Sequence, residues 1–174
     1  MALKSTIFKA ELQVADLDRG HFAEYSLTIA RHPSETDERM MVRLLAFALY
    51  AGPDLSFGKG ISTEDEPALW EVDPAGVIRL WIEVGLPDET RLRKASHKAD
   101  RAILLTYGAR AVDAWWRQIA DDLRRYENLE VWRLSAEDSA ALAGLAERNM
   151  KFSCTIQEGT VYFEGVELKP FRLQ

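Results

Sequence analysis

The sequence predicts a single α/β domain in which a mixed sheet carries helices on its faces. Three observations lead there. Short segments with alternating or continuous apolar residues end at turn clusters. Longer segments with helical spacing open on capping residues and stop at glycine or proline. The two kinds of segment interleave in the order β-β-α-β-β-β-α-β-α-β-α-β-β, the pattern of strands with helices packed across them. A chain of 174 residues that is 47% apolar has the size and the material for one core, so we read residues 1–174 as one domain.

Thr6 to Val14 reads as a strand, and Phe22 to Ala30 as its hairpin partner across Asp16-Leu17-Asp18-Arg19-Gly20. Ser34 is the expected cap of a helix running to Ala51, with Glu35, Asp37 and Glu38 in a first turn where the helix dipole favours acid. Gly52-Pro53 ends it. Leu55 to Phe57 is a short extended piece before the glycine-marked loop Gly58-Lys59-Gly60. Leu69 to Asp73 and Val77 to Val84 are strands joined by Asp73-Pro74-Ala75-Gly76, which has the chemistry of a type I turn. Pro87-Asp88 opens a helix to Asp100, Ala102 to Thr106 is a buried strand, and Ala109 to Tyr126 is a long helix. Leu129 to Leu134 is a strand, Ser135 caps a helix to Arg148, and Phe152 to Ile156 pairs with Thr160 to Glu164 around Glu158-Gly159.

A net charge of −6 excludes a broad basic sheath of the kind that binds DNA non-specifically, though not a local basic patch. Cys154 is the only cysteine, which excludes an internal disulfide and a cysteine-based metal site. The opening residues form no apolar signal region, and no apolar run is long enough to span a bilayer, so a reducing cytoplasm is the expected location and no membrane partner is expected. His21, His32 and His97 have no metal-ligand spacing, and no phosphate-binding loop or nucleophile elbow is present.

Three acids stand out. In Val77 to Val84, parity puts Ile78, Leu80, Ile82 and Val84 on a core face, and Arg79, Trp81 and Glu83 on the other. If Asp73 faces Gly76, Glu66 falls opposite Glu83; a bulge at Gly76 shifts this by one residue. Facing carboxylates repel, and a divalent cation between them would remove that penalty. The other reading is that the strand frays before Glu66 and the pair never meets. Glu38 is centred on a stripe of Met41, Val42, Leu45 and Leu49; it is either buried with a partner or a first-turn acid facing water. Arg91, Lys94 and Lys98 form one basic stripe on the helix after Glu83, suited to orienting phosphate or to a plain solvated face.

The stretch A-R-H-P-S-E-T-D-E-R-M-M-V-R-L-L-A-F, the segment D-E-P-A-L-W and the run L-W-I-E-V-G-L-P-D-E-T-R-L-R-K-A resemble the YaeQ family, as does the opening M-A-L-K-S-T-I-F-K-A-E-L-Q-V-A-D-L-D-R. The resemblance covers the whole chain. It implies a variant of the PD-(D/E)XK nuclease fold, with core order α-β-β-β-α-β and extra N- and C-terminal hairpins. In that pattern Glu66 and Glu83 take the two metal-holding acid positions for Mg²⁺, with Mn²⁺ as substitute, and Glu38, or with less support Glu35, takes the helix position. Gly85 stands where the pattern has a lysine, so the basic role passes to Lys94 or Lys98. The expected function is Mg²⁺-dependent hydrolysis of nucleic-acid phosphodiesters. Its rival is a non-catalytic binding protein on the same fold, engaging nucleic acid or a protein of the transcription machinery.

Overall fold

A computed structural model describes residues 4–59 and 65–174; residues 1–3 and 60–64, among them Gly60 of the predicted loop, lie outside the described residues. The strands form two sheets where the sequence predicted one. The first comprises β1 (Thr6–Asp16), β2 (His21–Arg31), β8 (Asn149–Gln157), β9 (Thr160–Phe163) and β10 (Val166–Leu168), in the order β10-β9-β8-β1-β2. The second comprises β3 (Leu55–Phe57), β4 (Leu69–Val72), β5 (Ile78–Val84), β6 (Arg101–Tyr107), β7 (Leu129–Leu134) and β11 (Phe171–Arg172), in the order β11-β7-β6-β5-β4-β3. The terminal hairpins are therefore one sheet, joined by the parallel pairing of β1 with β8, Lys9 against Asn149 to Asp16 against Ile156.

Among the described residues, four helices, α1 (Asp37–Tyr50), α2 (Glu89–Lys98), α3 (Arg110–Leu123) and α4 (Ala136–Ala143), complete the fold. Helix α1 explains the architecture. Every residue from Met40 to Ala48 is buried, because α1 shares one core with inner-face residues of both sheets: Leu12 and Phe152 from the first, Leu80, Ile82 and Ile103 from the second. A helix that is apolar all round has to be covered all round. The opposite face of the second sheet packs Trp81, Leu104 and Val131 against Leu92 of α2 and Ile119 of α3. Strands β5 and β6 are thus buried on both faces, as parallel strands between helices are. The first sheet is two-sided: Phe8, Ala10, Leu12 and Val14 point inward, and Lys9, Glu11 and Gln13 are exposed.

Several expected boundaries move. The cap of α1 is Thr36, whose hydroxyl accepts from the Arg39 amide at 3.1 Å, while Ser34 belongs to the preceding turn, paired with His32. Helix α4 ends at Ala143, well short of Arg148, where Gly144 is its C-cap, and β8 begins at Asn149. The type I turn is present, with the Gly76 amide donating to the Asp73 carbonyl at 2.9 Å and Gly76 at φ 85°. The register then shifts again between Glu71 and Val72, so that Leu69 faces Ile82 and the ladder ends there. Glu66 consequently does not face Glu83.

Candidate functional site

Strands β5, β6 and β7 run parallel, and their carboxyl ends lie with the start of α2 at one edge of the second sheet, the place where open α/β sheets gather ligands. Glu83 is the penultimate residue of β5 and is 4% exposed. Its Oε1 accepts from Trp81 Nε1 at 2.8 Å and from Arg91 Nε at 2.8 Å; no hydrogen bond from a described residue reaches Oε2. Burial holds the Glu83 carboxyl above its usual 4.5, against the opposing pull of Arg91.

Arg91 is fixed by the local sequence. Asp88 caps α2 by accepting from the Arg91 amide at 2.9 Å, which puts this side chain in the first turn. From there Nε reaches Glu83, and Nη2 donates to the Glu66 carbonyl at 2.7 Å. The guanidinium therefore connects the two residues that were expected to share a dication. The Glu66 carboxylate turns to the Lys59 amide at 2.9 Å, with the Lys59 ammonium 3.9 Å away. Lys94 reaches the exposed Asp65 at 2.9 Å, not Glu83, and Lys98 is exposed; both nonetheless act with Arg91 to hold the Asp65 carboxyl low. The stripe is real, and the member of it that meets the carboxylate is Arg91.

The helix position divides between two acids. Glu38 is half-buried and its Oε1 accepts from Ser139 of α4 at 2.7 Å. Glu35, displaced from the helix by the cap at Thr36, is the buried one: Arg43 donates to its two oxygens at 2.7 and 2.8 Å, and Arg39 adds a third bond at 2.7 Å. Arg43 is 1% exposed and also donates to the Ala30 carbonyl at 3.0 Å. A charged residue inside M-M-V-R-L-L is the signal that should have led to Glu35, since a buried guanidinium requires an acid. Arg39 links the two halves of the site: it pairs with Glu35 and its charge also lowers the Glu83 carboxyl. Tyr107, at the end of β6, lies in the same field, its phenol raised by burial and opposed first by Arg39.

A hard dication needs several oxygen ligands. Among the described residues no three His, Cys, Asp or Glu side chains gather to hold one, and Arg91 already neutralises Glu83. The described residues as arranged therefore do not fit Mg²⁺. An apolar cavity of about 180 Å³ lined by Leu49, Tyr50, Leu105 and Trp132 sits by the C-terminal end of α1, on the α1 side of β6.

The raised Glu83 carboxyl makes a prediction about pH. A carboxylate with a folded-state pKa above its unfolded one binds protons preferentially when folded, so stability falls as pH rises from about 4.5 through the folded value and is flat beyond it. Glu83→Gln should flatten that slope in thermal melts run from about pH 4 to pH 8. An unchanged slope would assign the effect elsewhere.

These elements define a class: among the described residues, an α/β protein of two mixed sheets and four helices, with an arginine-paired carboxylate, Glu83, near the end of a parallel strand and a second, Glu35, just before α1. The family model described as "YaeQ protein" matches residues 1–169, and the chain belongs to the YaeQ family. It is 48% identical over 162 residues to the YaeQ protein of Escherichia coli strain K12, covering 93% of this chain and 90% of that one, and likewise 48% identical to that of Salmonella typhi; both relatives are described as uncharacterized. The crystal structure of YaeQ from Xanthomonas axonopodis pv. citri superposes with a TM-score of 0.94 at 47% identity, covering 98% of each chain. That from Pseudomonas syringae gives 0.93 at 39% identity, over 98% of this chain and 96% of that one. Among the described residues, no helix is long and apolar enough to cross a membrane.

Proposed function

We propose that the chain is a non-catalytic binding protein on a PD-(D/E)XK-like fold, engaging nucleic-acid phosphates at the carboxyl ends of β5 and β6. The observation that carries this is the Arg91 guanidinium seated between Glu83 and the Glu66 carbonyl, a permanent cation where a nuclease would need an exchangeable one. The order α1-β3-β4-β5-α2-β6 supports the fold half of the reading. Lys94 and Lys98, on the same stripe as Arg91, are the cations nearest solvent that a phosphate would meet. The Lys94 pair with Asp65 is exposed, with the Asp65 side chain 91% accessible, so it costs little to exchange for a phosphate.

A second reading, a Mg²⁺- or Mn²⁺-dependent phosphodiesterase using Glu83, has one observation in its favour: Oε2 of Glu83 accepts no hydrogen bond from a described residue. Fluorescence anisotropy with labelled single- and double-stranded DNA and RNA separates the two. The expected result is salt-dependent binding without cleavage in either metal. Lys94→Ala or Lys98→Ala should reduce the log–log salt slope by about one for each phosphate that the variant no longer neutralises. Cleavage that disappears in Glu83→Gln would establish the second reading, and absence of binding at low salt would defeat the first.

A further inference from the structure

We infer that β2 is a dimer interface, and that two copies of this chain pair their β2 strands antiparallel about a two-fold axis at Ser26, joining the two first sheets into one. Strand β2 is the edge of its sheet, eleven residues long, and pairs with β1 from His21 to Arg31 in one unbroken register. The Lys9 amide of β1 donates to Arg148, away from β2. The alternation of an antiparallel ladder then turns the backbone groups of His21, Ala23, Tyr25, Leu27 and Ile29 toward β1, and those of Phe22, Glu24, Ser26, Thr28 and Ala30 outward. The Arg43 bond to the Ala30 carbonyl fits this parity, and it is the only protein hydrogen bond made by those outward groups among the described residues.

Natural edge strands are normally protected by lysine, proline, a bulge or brevity. Strand β2 has none of these, and its exposed charged residue is Glu24 alone. It also carries Phe22 at 66% exposure, and Tyr25 and Leu27 only half-covered beside the core.

The occupant follows from the sequence of the strand itself. Centred on Ser26, self-pairing puts Ser26 against Ser26 of the second copy, Glu24 against Thr28, Phe22 against Ala30 and Tyr25 against Leu27. All eleven residues overlap, every outward-facing residue meets another outward-facing residue, and no two carboxylates are opposed. A slide that sets the two Glu24 residues face to face is disfavoured by like charge. The interface is isologous and closes at two, so it forms a dimer and not a fibre.

Sedimentation velocity from about 1 to 100 µM tests this, the range of a modest protein–protein affinity. The unmodified chain should be dimeric toward the upper end. Ser26→Pro removes one outward donor per copy at the two-fold axis and should leave a folded monomer by circular dichroism. Thr28→Glu places a carboxylate opposite Glu24 twice per dimer and should weaken association about tenfold. Adding Glu24→Lys to Thr28→Glu should restore it, a rescue that a purely intrachain effect would not give. A monomer throughout the range, or a dimer that both single variants and the double variant leave unchanged, would overturn the inference.

Discussion

Arg43→Met is expected to lower the free energy of unfolding by about 3–5 kcal/mol, because it leaves a buried carboxylate without its main partner. Glu35 is 6% exposed and Arg43 1%. The methionine fills much of the volume but cannot donate to either Glu35 oxygen. Arg39 remains as a second partner and places the loss toward the lower end of that range. Arg43→Lys should recover little, since an ammonium cannot span both carboxylate oxygens as the guanidinium does. Glu35→Gln combined with Arg43→Met should recover a large part, because the uncompensated charge is gone. Urea denaturation measures all four proteins; a loss under about 1 kcal/mol in Arg43→Met would show that water reaches Glu35 in its place.

Arg91→Met is expected to cost about 3 kcal/mol, less than a fully buried pair would because the Arg91 side chain is 24% exposed. It removes the principal cation from Glu83 and the donor from the Glu66 carbonyl together, leaving Trp81 as the only hydrogen-bond donor to Glu83 among the described residues. The pH dependence should steepen, since the influence that held the Glu83 carboxyl down is removed and its folded pKa climbs further from 4.5. The same variant discriminates between the functional readings. Under the binding reading, affinity for nucleic acid falls. If Arg91 instead stands in for an exchangeable cation, Mg²⁺ should now raise the melting temperature by mass action where it does not in the unmodified chain.

Local chemistry made most elements legible. Ser135 is a cap in the structure as it is in the sequence, Pro87-Asp88 opens α2 as expected, and Asp73-Pro74-Ala75-Gly76 is the turn its residues specify. Ladder register was not legible, because the shift between Glu71 and Val72 leaves no mark on the turn. Glu66 misses Glu83 because the strand ends at Leu69, as the fraying alternative has it, and the shifted register would in any case set Glu66 past Glu83. The two-sheet division was also hidden, since the pairing of Lys9 with Asn149 joins residues with no local relationship. Arg91 was visible as part of a stripe, but spacing alone ranked it equal to Lys94 and Lys98; only the cap at Asp88 points it back at β5. Arg43 was visible in its apolar run, and the rule that a buried cation needs an acid would have favoured Glu35 over Glu38.

The placement of α1 between the two sheets has a consequence for how the chain is made. One flank of α1 packs on strands that precede or closely follow it, whereas another packs on α4 (Ala136–Ala143), made long after it, and the shared core is completed by Met150, Phe152 and Phe163 later still. A ribosome adds about 5–20 residues per second, so that flank stays uncovered for several seconds at least after α1 emerges. During this interval the nascent chain presents an apolar helix and the β1 edge that will receive β8. Closure of β1 on β8 is a late, long-loop event, and the dependence of folding speed on sequence separation makes it the natural slow step of refolding.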